Sequence, residues 1–339
     1  MTLELLWYLV VLVALIFYAV LDGFDLGVGC LHLFAKKDIE RRTILNSIGP
    51  LWDGNEVWLV IVGGALFAGF PDVFATVFSA FYDFVMLLLC GLIFRAVSIE
   101  FRSKKESPRW RQTWDVVFSV ASFIIAFGLG LVFGNIIVGI PLNDSKDFVG
   151  SFLGFLGPYQ ILFGLTTTAL FAMHGSIYLA MKTEGAFHKS IRGWINRTVL
   201  LFFGFYVLLT LATFGVAPHM ADRMKDSPVL FLVPLLALLT LLNIPRQVKK
   251  GNDGWAFLSS CLGIALLLGL FALGSFPTLV RSSINPAENS LTYINAASSP
   301  LTLKILLIMV GIGVPFVLGY GFYIYRLFHG KVRLDPHSY

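Results

Sequence analysis

Charge is scarce in this chain. Asp, Glu, Lys and Arg make up 13% of its 339 residues, about half the share found in an ordinary soluble domain, while 57% of the residues are apolar. A water-soluble globule and a disordered chain are both excluded by that balance. Cysteine is nearly missing as well. Cys30, Cys90 and Cys261 lie singly inside apolar stretches, with no CxxC and no Cys/His cluster, so neither a disulfide framework nor a zinc site is signalled. There is no Walker A loop, no Rossmann glycine fingerprint after a strand and no Ser/His/Asp arrangement, and nothing points to soluble-type catalysis. The Pro/Gly-broken half-helix pairs of many secondary transporters are also hard to find. Lys and Arg exceed Asp and Glu by only 25 to 20; in a membrane chain these cations report orientation, and nucleic-acid binding is set aside.

What the chain has in abundance is long apolar runs, with a mean hydropathy of +0.81. At about 20 apolar residues per span the whole length reads as a single integral membrane domain, 1–339, without room for a sizeable soluble one. Runs bounded by charge and by Pro/Gly predict nine spans, near residues 4–33, 51–70, 73–98, 114–140, 152–181, 195–216, 228–244, 254–275 and 302–328. The first is read as a retained span, since no basic leader or small-residue cleavage site accompanies it. Twenty of the 25 Lys and Arg residues fall in the segments after spans 1, 3, 5 and 7 and in the tail. The positive-inside rule then places the N-terminus outside and the C-terminus in the cytoplasm. The longest outside segment, 276–301, is rich in Ser, Asn and Pro and is expected to fold over the outer face.

Ionisable side chains inside a bilayer cost at least about 2.5–3.5 kcal/mol each on insertion scales, so each one needs a reason. Asp22 and Asp25 lie three apart, hence on one face of span 1, toward its cytoplasmic half; Asp53 and Glu56 open span 2 with the same spacing. These four carboxylates are predicted to gather near the cytoplasmic boundary, within reach of Arg95, Glu100 and Arg102. Such a cluster can take up protons from the cytoplasm, because crowded like charges and partial burial favour the neutral carboxyl. The plainer alternative is that Asp53 caps span 2 and the other acids pair with the arginines. Asp83, about ten residues into span 3, is predicted near the midplane, hydrogen-bonded to a facing helix or a partner subunit. His32 and His174 are the only histidines in or beside spans; haem ligation by them is conceivable, but hydrogen bonding to a neighbouring helix is the commoner role. Gly23 and Gly27, Gly63 and Gly64, and Gly128, Gly130 and Gly134 read as packing positions.

The runs LDGFDLGVG at 21–29, ERRTILNSIGPLWDGNEVWLVIVGGALFAGFP at 40–71, FRAVSIEFRSK at 94–104, FGNIIVGIP at 133–141 and HGSIYLAMKTEG at 174–185, with FP at 276–277 and SSPLTL at 298–303, resemble subunit II of the cytochrome bd quinol oxidases. The likeness spans nearly the whole chain in order. It implies an all-α polytopic protein of nine transmembrane helices, arranged as two four-helix bundles plus a peripheral helix. It further implies a subunit of a terminal oxidase that oxidises quinol and reduces dioxygen to water in a bacterial or archaeal cell membrane. The expected partner is subunit I, which carries two b haems and haem d; small single-span subunits can join. No haem, metal or catalytic residue is expected in this chain, and a structural quinone is left open. By resemblance Asp22, Asp25 and Asp53 match acidic positions of the family, with Asp53 on a proton path toward subunit I. Trp58 matches a tryptophan near the dioxygen route at the subunit interface. Glu56 stands where some relatives have Gln, and the segment 217–227 is shorter than in some of them. A proton-coupled secondary transporter using the same carboxylates is the alternative from another class.

Overall fold

The computed structural model describes residues 1–334. Thirteen helices and two short strands follow in chain order: α1 (Leu3–Leu31), α2 (Asp38–Ile48), α3 (Trp52–Gly69), α4 (Pro71–Ala80), α5 (Tyr82–Phe101), α6 (Pro108–Val138), α7 (Pro158–Lys182), α8 (Gly185–Val216), α9 (Asp222–Asp226), α10 (Leu232–Lys250), α11 (Asp253–Ser275), β1 (Thr278–Val280), α12 (Pro286–Asn289), β2 (Leu291–Thr292) and α13 (Pro300–Leu327). Local chemistry marks many of their ends. The Thr2 hydroxyl accepts from Leu5 N and the Ser299 hydroxyl from Thr302 N, while Pro71, Pro108, Pro158 and Pro300 open helices where a missing N–H costs nothing. Gly251, at φ 79°, closes α10 in the left-handed conformation that a side chain would resist.

Among the described residues eight helices are long and apolar enough to cross a membrane. The expected second span corresponds to α3, which is 18 residues long, carries Asp53 and Glu56 near its start, and is not one of the eight. The expected third span, 73–98, is not one helix. Phe81 breaks it into α4 and α5, and α4 packs on β1 and α3. Asp83 therefore sits exposed in the first turn of α5, about 27 Å along the axis from Phe101. The midplane placement was wrong because it assumed an unbroken helix.

α1 and α7 form the hub of the molecule. α1 packs on α3, α6, α7, α11 and α13, and α7 on α1, α6, α8 and α11. The two hub helices touch backbone to backbone: a Cβ on Gly175 would meet Phe24 O at 2.8 Å, and one on Gly27 would collide with the Phe171 carbonyl. That approach brings Phe24 and Tyr178 into a parallel stack at 4.0 Å. Helix directions alternate, so the ends of α1, α5, α7, α10 and α13 meet the starts of α3, α6, α8 and α11 at one end of the bundle, joined there by Arg41–Asp115 and Arg192–Asp253 pairs. Most of the Lys and Arg lie here, at what we call the basic end. At the other end the 276–301 segment folds over the helix tips: β1 pairs with β2, Ile140 N donates to Arg281 O, and Ser298 N donates to Gly69 O. The rim is different in kind. α13 has only Leu303 buried.

Candidate functional site: two charge clusters at the basic end

The first cluster is built on Arg95, in the second-last turn of α5 and wholly buried. Its guanidinium grips the Asp22 carboxylate with both terminal nitrogens, Nη1 at 3.0 Å and Nη2 closer still. Glu56 Oε2 stands 3.7 Å from Nη2. One turn along α1 from Asp22, buried Asp25 accepts a hydrogen bond from Asn55 Nδ2 at 2.8 Å, and Asn55 Oδ1 accepts one from the Tyr325 hydroxyl at 2.8 Å. Four helices thus converge on one spot. Asp25 Oδ1, Glu56 Oε2, the Tyr18 hydroxyl and Arg95 Nε have no hydrogen-bond partner among the described residues.

The charge arithmetic is unusual. Three carboxylates, two of them fully buried, face a single guanidinium. A buried carboxylate without a counter-ion is far costlier than a neutral carboxyl, so such a group is chemically suited to hold a proton and give it up.

Asp22, Asp25 and Glu56 are thus brought together. Asp53 is exposed in the first turn of α3, on the same face as Glu56 and one turn before it. It does not cap the helix; Leu51 holds the cap position and makes no side-chain cap bond. Trp58 is buried and stacks on Phe17, with ring centroids 4.5 Å apart. Arg102, expected near these acids, goes elsewhere.

It belongs to a second cluster. The Asp115 carboxylate, on α6, accepts from Arg102 Nε at 2.5 Å, Arg41 Nη1 at 2.9 Å and His32 Nε2 at 2.6 Å. Asp38 joins Arg102 at 2.7 Å to Arg111 at 3.0 Å. Sequence reasoning missed Asp115 and Asp38. The available signal was a lone acid two turns into α6, between its Arg-bearing start and the long apolar run that follows.

Neither intramembrane histidine is placed like its counterpart. His32 leans edge-on against Phe118 and serves Asp115. Both ring nitrogens of His174 are engaged, Nδ1 with the Ser260 hydroxyl at 2.7 Å and Nε2 with Val20 O at 2.9 Å, and its ring stacks on Phe257. Among the described residues no group of three His, Cys, Asp or Glu side chains could hold a metal ion.

An apolar cavity of about 490 Å³ lies between the helices, walled by Leu15, Leu59, Phe133, Phe163, Phe171 and Phe271 among others. Tyr18 lines it too. The same helix face therefore leads, in one turn, from the cavity wall to Asp22.

Comparison with known proteins gives one answer. The profile of the family described as "Cytochrome bd terminal oxidase subunit II" matches residues 3–328. The chain is similar to "Cytochrome bd-I ubiquinol oxidase subunit 2" of Escherichia coli (strain K12), 33% identical, covering 98% of this chain and 96% of the relative. It is likewise similar to "Cytochrome bd ubiquinol oxidase subunit 2" of Bacillus subtilis (strain 168), 31% identical with 98% of each chain covered. In fold it resembles a chain from the structure of bd oxidase from Geobacillus thermodenitrificans, at a TM-score of 0.80 and 17% identity, over 97% of this chain and 99% of that one. With the profile spanning all but the chain's ends and both relatives matched end to end, the chain belongs to the cytochrome bd terminal oxidase subunit II family.

Proposed function

We propose that this chain is the non-haem subunit of a quinol oxidase complex, and that it supplies protons from the cytoplasm for dioxygen reduction in a haem-bearing subunit I. In this reading it crosses the membrane nine times with its N-terminus outside, α3 being the ninth span, as two four-helix bundles with α13 peripheral. The clustering of 20 basic residues at one end of the bundle supports that sidedness. A span that begins with Asp53 and Glu56 is tolerable when its polar start meets water or protein rather than lipid.

Reducing one dioxygen to two waters consumes four protons and four electrons; two quinols release four protons as they are oxidised. If uptake and release occur on opposite sides, a membrane potential forms without a pump. The haems of subunit I would supply the electron transfer. This chain's part is the proton route, and the observation that carries it is the surplus of carboxylates around Arg95. Asp53 is exposed where it can reload from water. Glu56 lies one turn inward and Asp25 beyond it, each with a carboxylate oxygen that accepts no hydrogen bond from the described residues, while Asp22 is locked against Arg95 and tunes the site by its charge. The exposed side of α3, where Gly54 and Gly64 leave open space, suits close approach of a partner helix. Trp58, packed on Phe17 behind that side, would border a dioxygen route at the subunit boundary. The apolar cavity fits the isoprenoid tail of a structural quinone, its walls offering few polar groups.

The test is oxidase turnover in purified complexes. Asp25→Asn and Asp53→Asn should assemble with full haem content, and turnover should fall about tenfold or more for Asp25→Asn, roughly 1.4 kcal/mol in the limiting step, with a smaller fall for Asp53→Asn. Wild-type turnover in both fully assembled variants would end the proposal.

A further inference from the structure

The hydrogen bonds around Asp25 come from three helices far apart in sequence: Asp25 on α1, Asn55 on α3 and Tyr325 on α13. The third is the unexpected one. α13 is the least buried of the eight long apolar helices, with Leu303 alone buried, yet near its end it sends a phenol inward to the buried carboxylates of the Arg95 cluster. Its position is set by a clip at the basic end. Lys182 Nζ donates to Phe328 O at 2.6 Å, Val332 N donates to Lys182 O at 2.8 Å, and Lys331 Nζ donates to Ala180 O at 3.1 Å. The last turn of α13 is thereby tied to the last turn of α7, and Tyr325 lies one turn before the tied residue.

We propose that Tyr325 is a positioning residue for Asp25: acting through the Asn55 amide, it makes the three side chains a two-position relay that accommodates Asp25 with and without its proton. The inference rests on the reading of Asp25 as a proton carrier.

The chemistry follows from donor and acceptor counts. An amide offers a donor group on one side and an acceptor on the other. In the arrangement observed, Tyr325 O–H donates to Asn55 Oδ1 and Asn55 Nδ2 donates to Asp25 Oδ2, which suits an ionised Asp25. When Asp25 takes a proton on Oδ2, that oxygen becomes a donor and confronts the amide N–H2, an unfavourable meeting. A half-turn of the amide restores the match: Asp25 O–H donates to Asn55 Oδ1, and Asn55 Nδ2 donates to the Tyr325 oxygen. Only the O–H proton on Asp25 is gained or lost; Tyr325 keeps its own throughout. In each arrangement two matched hydrogen bonds keep Asp25, Asn55 and Tyr325 linked, and that needs a third partner able both to accept and to donate. A phenol does both, whereas a phenylalanine does neither and leaves one pole of a buried amide unpaired in either position. The surroundings leave little choice of substitute, since Asn55 is 2% exposed and Asp25 wholly buried.

The experiment compares the intact complex with Tyr325→Phe and Asp25→Asn by haem content, turnover and reaction-induced infrared difference spectroscopy. Asp25→Asn identifies the carboxyl stretching band of Asp25 by removing it. Tyr325→Phe is expected to keep full haem content, to displace that band in frequency and to lower turnover about threefold or more. Should Tyr325→Phe fail to assemble, 3-fluorotyrosine at position 325 keeps the ring and hydroxyl, alters its donor strength and should displace the same band. An unmoved band with wild-type turnover in Tyr325→Phe, or an unmoved band with fluorotyrosine, overturns the relay and leaves the role of Asp25 standing. If Asp25→Asn removes no band and leaves turnover unchanged, the reading beneath the relay falls with it.

Discussion

The two charge clusters at the basic end share their parts and differ in their balance. Around Arg95, three carboxylates face one guanidinium, and two of the four buried side-chain atoms without a hydrogen bond to the described residues are carboxylate oxygens. Around Asp115, three arginines and a histidine surround two carboxylates, and the buried side-chain atoms there without a hydrogen bond to the described residues are all nitrogens: His32 Nδ1, Arg102 Nη1 and Arg111 Nε. A cluster short of cations can balance its charge by binding protons. A cluster rich in arginine cannot, because guanidinium does not titrate in the working range of a protein. Similar composition therefore leaves a surplus of carboxylates in one place, the basis of the proposed proton route, and makes a clasp between α2, α6 and the turns after α1 and α5 in the other.

The largest effect should come from removing the only cation of the first cluster. Arg95→Leu leaves Asp22 buried without a counter-ion, which should cost about 3–5 kcal/mol. Poor recovery of the complex and a lowered unfolding temperature are the expected readings; a variant as stable as wild type would mean that the carboxylates are already neutral and the clusters less different than their geometry implies. An intermediate effect is expected in the second cluster. Asp115→Asn weakens the clasp by about 1–3 kcal/mol, yet turnover per haem in the assembled complex should stay within about twofold, under roughly 0.5 kcal/mol. A tenfold loss of turnover there would erase the distinction between proton site and clasp.

The smallest effect lies at the far end, away from both clusters. His219, between α8 and α9, donates from Nε2 to Ile137 O at 3.1 Å. Burial, and then nearby Arg281, pushes its pKa below the ordinary value. The unfolded segment thus binds the proton more readily than the folded one, so the stabilisation is fully present above about pH 6.5 and is lost as pH falls through the lower folded value. Hydrogen exchange at residues 217–221, corrected for its intrinsic pH dependence, should be faster at low pH, and His219→Asn should abolish that change. Slower exchange on acidification would contradict this account.

Much of the outline was legible beforehand. Seven of the expected spans, at 4–33, 114–140, 152–181, 195–216, 228–244, 254–275 and 302–328, coincide with helices long and apolar enough to cross a membrane, because a stretch of about 20 apolar residues leaves few alternatives to a helix. The pairing of Asp22 with Asp25, and of Asp53 with Glu56, followed from their spacing. Asp83 was misplaced because Pro71 and Phe81 bound a separate short helix, and hydropathy does not record a break within an apolar run. Asp115 was overlooked since two of its three partners, Arg41 on α2 and His32 in the turn after α1, are far from it in sequence, and Arg102, 13 residues before it, lies across the bend between α5 and α6.

Apolar runs, a one-sided distribution of Lys and Arg, and motifs such as LDGFDLGVG determined by themselves that this is a helical membrane protein of the bd oxidase subunit II family. These are properties of segments, and a segment carries them wherever it packs. Only the tertiary structure decided that Arg95 takes Asp22 while Arg102 takes Asp115, that Asp25 reaches Tyr325 through Asn55, and that Asp53 stays outside the buried cluster. Those choices depend on how each helix is rotated against its neighbours. That rotation is set by contacts between residues as distant as Asn55 and Tyr325, and by close approaches such as Gly27 against Phe171, where a single methyl group would push the hub helices apart.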